Sequence, residues 1–107
     1  MSPADIRQLR RMLLCIASLR SGALSLVAGA GDLLFLRDAL EAVDASWDEA
    51  FTAEVATLES AGTATPEQVT AMGATFEATV ARALDALEEM VTGRLPADAL
   101  SEDGESS

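Results

Sequence analysis

Carboxylates are the most numerous groups in this chain able to do chemistry. Asp48-Glu49 and Glu88-Glu89 are adjacent pairs of the kind general acid–base catalysis could use. Both fall in stretches that read as helix. Neighbouring helical side chains point about 100° apart, so neither pair converges unaided. There is no histidine and a single cysteine, Cys15. A serine or cysteine nucleophile would lack its usual base. The histidine- and cysteine-bearing zinc and di-iron sites are excluded for the same reason. No segment supplies the spaced oxygen ligands around a glycine that calcium loops need. Gly29-Ala30-Gly31 lacks the third glycine and the preceding strand of a dinucleotide-binding turn. The chain therefore reads as a non-enzyme with no cofactor and no metal.

Charge is the stronger signal. Eighteen acids face seven bases, a net charge of -11, and every base is arginine. Arg7, Arg10, Arg11 and Arg20 crowd the first twenty residues, whereas Asp38 to Glu77 contains nine acids and no base. Such a field repels nucleic acid and anionic membranes and attracts basic proteins. The candidate partner-binding residues are Asp38, Glu41, Asp44, Trp47, Asp48, Glu49, Glu54 and Glu59. Arg37 is the only base near them in sequence. Trp47 reads either as an interface anchor, a role tryptophan often fills, or as a core residue. The competing reading of the acidity is that it only keeps the protein soluble.

These residues are positioned by helices. Alanine and leucine dominate the apolar half of the composition, and β-branched residues never alternate, which argues against sheet. The punctuation predicts an all-α, compact bundle of about four helices with a long C-terminal helix. The first starts at Ser2-Pro3-Ala4-Asp5, read as a capping box. It carries Ile6, Leu9, Leu13, Ile16 and Leu19 on one face and ends at Ser21-Gly22. The second runs from Ser25 to about Val43, with Leu26, Leu33, Leu36, Leu40 and Val43 as its stripe. Gly29 and Gly31 weaken it by about 1 kcal/mol each. They mark either a close helix crossing or a mobile half. A second capping box, Ser46 to Glu49, opens a third helix that presents Trp47, Phe51, Val55 and Leu58 and ends at Gly62. Thr65-Pro66-Glu67-Gln68 is the clearest start signal. The helix it opens runs to Thr92, closed by Gly93. At roughly 27 residues and about 40 Å it is long for so small a domain, and it either kinks near Gly73 or pairs with another subunit. Residues 1–94 read as a single helical domain and residues 95–107 as a disordered acidic tail.

Cys15 lies in the apolar stretch Met12 to Ala17 and reads as a small buried core residue. One cysteine cannot form an internal disulfide. Arg10-Arg11-Met12-Leu13-Leu14 is similar to a twin-arginine export signal, but Arg20 interrupts the apolar segment that should follow. No run approaches the ~18 apolar residues of a membrane span, and the expected location is the cytoplasm.

One resemblance bears on function. Leu19-Arg20-Ser21-Gly22, Ser25-Leu26, Asp32-Leu33 with Leu36 and Leu40, Val43-Asp44-Ala45-Ser46-Trp47, Phe51 with Glu54, and Leu58-Glu59 form a spacing seen in small acidic helical bacterial proteins. The pattern, spanning about Leu9 to Glu59, resembles that of the colicin-type immunity proteins, which neutralise a toxin by binding it. The resemblance implies a toxin-binding role and carries over no family binding residue. The first expectation is an acidic inhibitor, immunity-protein or antitoxin-like, that occludes a basic site on a toxin or nuclease. Phage-encoded nucleic-acid mimicry against a host defence protein is its close variant. The alternative is a homodimeric assembly module, associating through Phe76, Val80, Leu84 and Val91.

Overall fold

The computed structural model describes residues 2–96, with every element helical and no strand among them. Five helices follow in order: α1 (Pro3–Ser21), α2 (Leu26–Asp38), α3 (Ala45–Gly62), α4 (Pro66–Met72) and α5 (Ala74–Arg94). The expected count was about four. The fifth arises because the long C-terminal helix breaks in two at Gly73, whose φ of 58° and ψ of -133° belong to a region that only glycine enters readily. Residues 97–107, most of the expected tail, lie outside the described residues. Leu95 was assigned to that tail, yet it is buried against the core.

Three helix starts follow local chemistry. Ser2 accepts from the Asp5 amide, Ser25 from the Ala28 amide, and Thr65 and Gln68 form the complete reciprocal box. Each cap satisfies an amide that the first helical turn leaves without a backbone partner. Gly22, with φ of 82°, closes α1 through its amide to the Leu19 carbonyl.

Three boundaries and one cap differ from expectation. The Ser2-Asp5 box forms in one direction, and Asp5 Oδ1 accepts the Glu41 amide at 2.8 Å. That bond ends α2 early. Ala39 and Leu40 donate three residues back, to Leu36 and Arg37, and the next amide is taken by Asp5, so the helix stops at Asp38 rather than Val43. Asp5 is 3% exposed, and it ties the start of α1 to the loop after α2. The third helix starts at Ala45 with Asp44 at its cap, not at a Ser46 box. Finally, α5 runs past Gly93 to Arg94.

α1, α2, α3 and α5 enclose one core. Leu9, Met12, Ile16 and Leu19 supply the α1 wall, and Leu33 and Leu36 the α2 wall. Phe51, Val55 and Leu58 come from α3, and Leu84, Leu87 and Val91 from α5. Of the segment likened to an export signal, Met12 is buried in this core and Leu13 packs partly against it. Leu84 and Val91, expected on a self-association face, are spent in it as well. α4 buries no residue fully.

The glycine alternatives resolve by position. A Cβ on Gly29 would lie 2.7 Å from Leu19 Cγ, so Gly29 lets α2 cross α1 closely. A Cβ on Gly31 would meet open space. Gly62 serves a second close approach, since a Cβ there would stand 2.9 Å from Leu26 Cβ and 3.0 Å from the Val27 nitrogen.

Candidate functional site

The acidic candidates lie on and around α3, and the fold divides them. Asp38, Asp44 and Asp48 gather at the junction of α2 and α3 around two arginines. The Arg37 guanidinium donates to Asp38 Oδ1 at 2.8 Å and to Thr52 Oγ1 at 2.6 Å, and lies 3.3 Å from Asp48 Oδ1. These bonds fasten the end of α2 to the first turns of α3. The bond to Asp38 holds the guanidinium more firmly protonated than usual, against a smaller opposing effect of burial. The other base was not legible in sequence. Arg94 comes from the end of α5, donates to the Ala42 carbonyl at 2.9 Å, and lies 3.8 Å from Asp44 Oδ2. Glu41 sits in the same loop, exposed, with its amide on Asp5.

The remaining acids spread along α3. Helical geometry puts Asp48 and Glu59 within about 20° of one another in bearing but about 16 Å apart along the axis. Glu49 points outward, near the middle of the exposed face with Ala53, Ala56 and Ser60. Glu54 turns about 120° from Asp48, towards the α5 side, and is half-buried. Asp38, Glu41, Asp44, Asp48 and Glu49 therefore form one end patch. Glu59 stands alone at the far end, and Glu54 belongs to the flank.

Trp47 is committed largely to the fold. Its indole nitrogen donates to the Met90 carbonyl at 3.2 Å, and its ring stacks on Phe51 with centroids 4.9 Å apart and planes at 16°. The Arg94 guanidinium lies over the ring, 5.1 Å from its centroid, a cation–π geometry. The ring is half-buried. These contacts also explain the helix start. Trp47 must project towards α5, and Arg94 must reach Ala42 and Asp44, which places the first turn at Ala45.

Beyond the patch, an apolar trough of about 350 Å³ opens between the second half of α3 and the α4–α5 segment. Ala56, Ala61, Ala64, Met72 and Thr79 wall it. Small side chains on α3 let a partner's backbone come close, and methionine adapts to what it meets. No motif in the sequence marks this trough, because Ala56 and Thr79 share it only after α5 folds back.

Among the described residues no group of three or more acids and cysteine is arranged to hold a metal ion. Cys15 is buried, and its thiol donates to the Gly29 carbonyl at 3.6 Å. Burial, with the charge of Asp32 second, pushes the thiol up to about 11 from an ordinary 9.0. The folded chain thus holds this proton more tightly than the unfolded chain. The resulting stability is complete below about pH 9 and is lost as pH rises through about 11. The chain has no tyrosine, lysine or histidine, so no other side chain titrates in that window. Urea midpoints of the native protein are expected to fall between pH 9 and 11, and those of Cys15→Ala to stay level. An equal fall in both would remove Cys15 as the cause.

No helix among the described residues is long and apolar enough to cross a membrane. Comparison of the chain with protein-family models, with curated proteins and with solved structures yields no match, so its function rests on the surface described above.

Proposed function

We propose that this chain is a protein-binding inhibitor, of the immunity-protein or antitoxin kind, that occludes a basic site on a toxin or nuclease. The observation that carries the reading is the end patch. Asp38, Glu41, Asp44, Asp48 and Glu49 are drawn together at the α2–α3 junction, where Arg37 and Arg94 are the bases beside them among the described residues. Like charges held together cost stability through self-repulsion. A basic partner relieves that cost and is drawn to the patch over a distance set by salt. Carboxylates on the patch would take the places of substrate phosphates in the partner's cleft. The alanine-walled trough beside α3 offers the apolar contact that slows dissociation once the charges have met.

The test is a pull-down from native host lysate with the tagged protein at low and at high salt, followed by nuclease assay of the captured protein. The expected capture is a basic protein, weakened as salt rises, whose cleavage of nucleic acid stops when the inhibitor is added back. Asp44 and Asp48 are 80% and 45% exposed at their side chains, so reversing them disturbs little of the core. Asp44→Lys and Asp48→Lys are each expected to weaken binding about tenfold, or ~1.4 kcal/mol. Binding that ignores both reversals would show that the partner docks elsewhere.

A further inference from the structure

Among the described residues, the two most exposed large apolar side chains lie outside the acidic patch. Leu14 on α1 is 68% exposed and Phe35 on α2 is 73% exposed. Both line one groove of about 310 Å³ between these helices, together with Arg11, Cys15, Leu24 and Asp32. Neither Arg11 nor Asp32 makes an ion pair among the described residues. Contiguous exposed apolar surface rimmed by unpaired charge marks an interaction face.

The charges identify what covers it. Elsewhere this molecule, at -11, repels its own copies. Here the exposed groups are locally balanced or basic: Arg7 and Arg11 against Asp32. Leu19 near the end of α1 meets Gly29 near the start of α2, and Asp5 at the start of α1 accepts from the Glu41 amide just past the end of α2, which makes α2 antiparallel to α1. Asp32 then lies level with Cys15, and Arg11 four residues away, about 6 Å further along the groove. A base and an acid displaced along one groove are self-complementary under a two-fold rotation: each Arg11 comes to the other copy's Asp32, while Leu14 and Phe35 close on their counterparts. A wholly basic partner would leave Arg11 facing like charge, and a wholly acidic one would do the same to Asp32.

We infer that the α1–α2 groove is the interface of a two-fold homodimer, with Leu14 and Phe35 as its apolar centre and reciprocal Arg11–Asp32 pairs at its rim. The acidic patch at the α2–α3 junction remains outside it, so the dimer offers two basic-partner sites.

Sedimentation equilibrium of the full chain, at concentrations up to about 1 mM, tests this. The expected result is a mass that rises with concentration from 11.1 kDa to twice that value and stops there. The Leu14→Gln, Phe35→Ser double variant, at two exposed positions, is expected to remain monomeric with an unchanged helical circular-dichroism spectrum. Arg11→Asp and Asp32→Arg are each expected to weaken association about tenfold, and the variant carrying both to regain most of it. A native chain that stays monomeric over the whole range overturns the proposal. So does association that continues past two copies, that survives the loss of Leu14 and Phe35, or that the charge exchange fails to restore. The acidic-patch reversals at Asp44 and Asp48 leave this mass untouched, which keeps the dimer and the inhibitor readings separately testable.

Discussion

Phe51→Ala is expected to lower the unfolding free energy by about 3–5 kcal/mol, the largest loss from any single side chain here. Phe51 is fully buried and is the largest such residue among the described residues. Its removal withdraws the transfer energy of the ring and leaves a cavity that rigid helices on every side cannot fill. It also strips the stacking partner from Trp47, whose remaining fastenings are the Met90 carbonyl and the Arg94 guanidinium. A domain of this size commands only about 5–15 kcal/mol in total. At roughly 4–8 °C per kcal/mol, the melting temperature should fall by at least about 12 °C. Trp47 is the sole tryptophan and touches Phe51, so its fluorescence reports the transition directly. A loss below about 1 kcal/mol would mean that Phe51 does not sit at the centre of the core.

The two glycines of α2 are expected to respond to alanine with opposite signs. At Gly29 the new methyl would lie within 2.7 Å of Leu19 Cγ and Cδ1, and closer still to Cδ2. Leu19 is 6% exposed, with the core behind it, so it must leave its rotamer or push α2 away from α1. Overpacking of this kind costs about 1–3 kcal/mol, more than the ~1 kcal/mol that alanine returns in helix propensity. At Gly31 nothing lies within 4 Å, and the same propensity gain is unopposed. Gly29→Ala should therefore destabilise by up to about 2 kcal/mol, and Gly31→Ala should stabilise by up to about 1 kcal/mol. Paired urea titrations with unchanged slopes would show midpoints moving to either side of the native value. If both variants gained stability, α1 and α2 would not cross as closely as described.

The fate of these glycines shows where sequence reading stops. Their cost to an isolated helix is local and was evident. Which of them touches a neighbour depends on the face α2 turns to α1, and Gly29 and Gly31 lie about 200° apart around the helix. The same limit explains the helix ends. Ser25 and Thr65 were readable because a cap bonds an amide three residues on. The end of α2 was not, because its terminator, Asp5, lies 36 residues earlier in the chain. Ser46 and Glu49 had the right spacing for a box. They lost to Trp47 and Arg94, whose contacts with α5 and the loop outweigh the roughly 1 kcal/mol of a cap.

The acidic site divides in the same way. That the chain is all-helical, strongly acidic and without histidine chemistry was determined by composition and by signals spanning four residues or fewer. The apolar periodicities placed Leu9, Ile16 and Leu19 of α1 and Phe51, Val55 and Leu58 of α3 on core faces, since burial follows one stripe of a helix. The α5 residues Leu84 and Val91, read as a self-association face, are buried in the core instead. Only the tertiary structure decided that Arg94 joins the acidic patch, that Trp47 is bound into the fold, and that Leu14 and Phe35 remain outside it. Those outcomes depend on contacts between residues dozens of positions apart. Such contacts are settled when packing of the helices chooses which side chains are covered, and no local pattern encodes that choice.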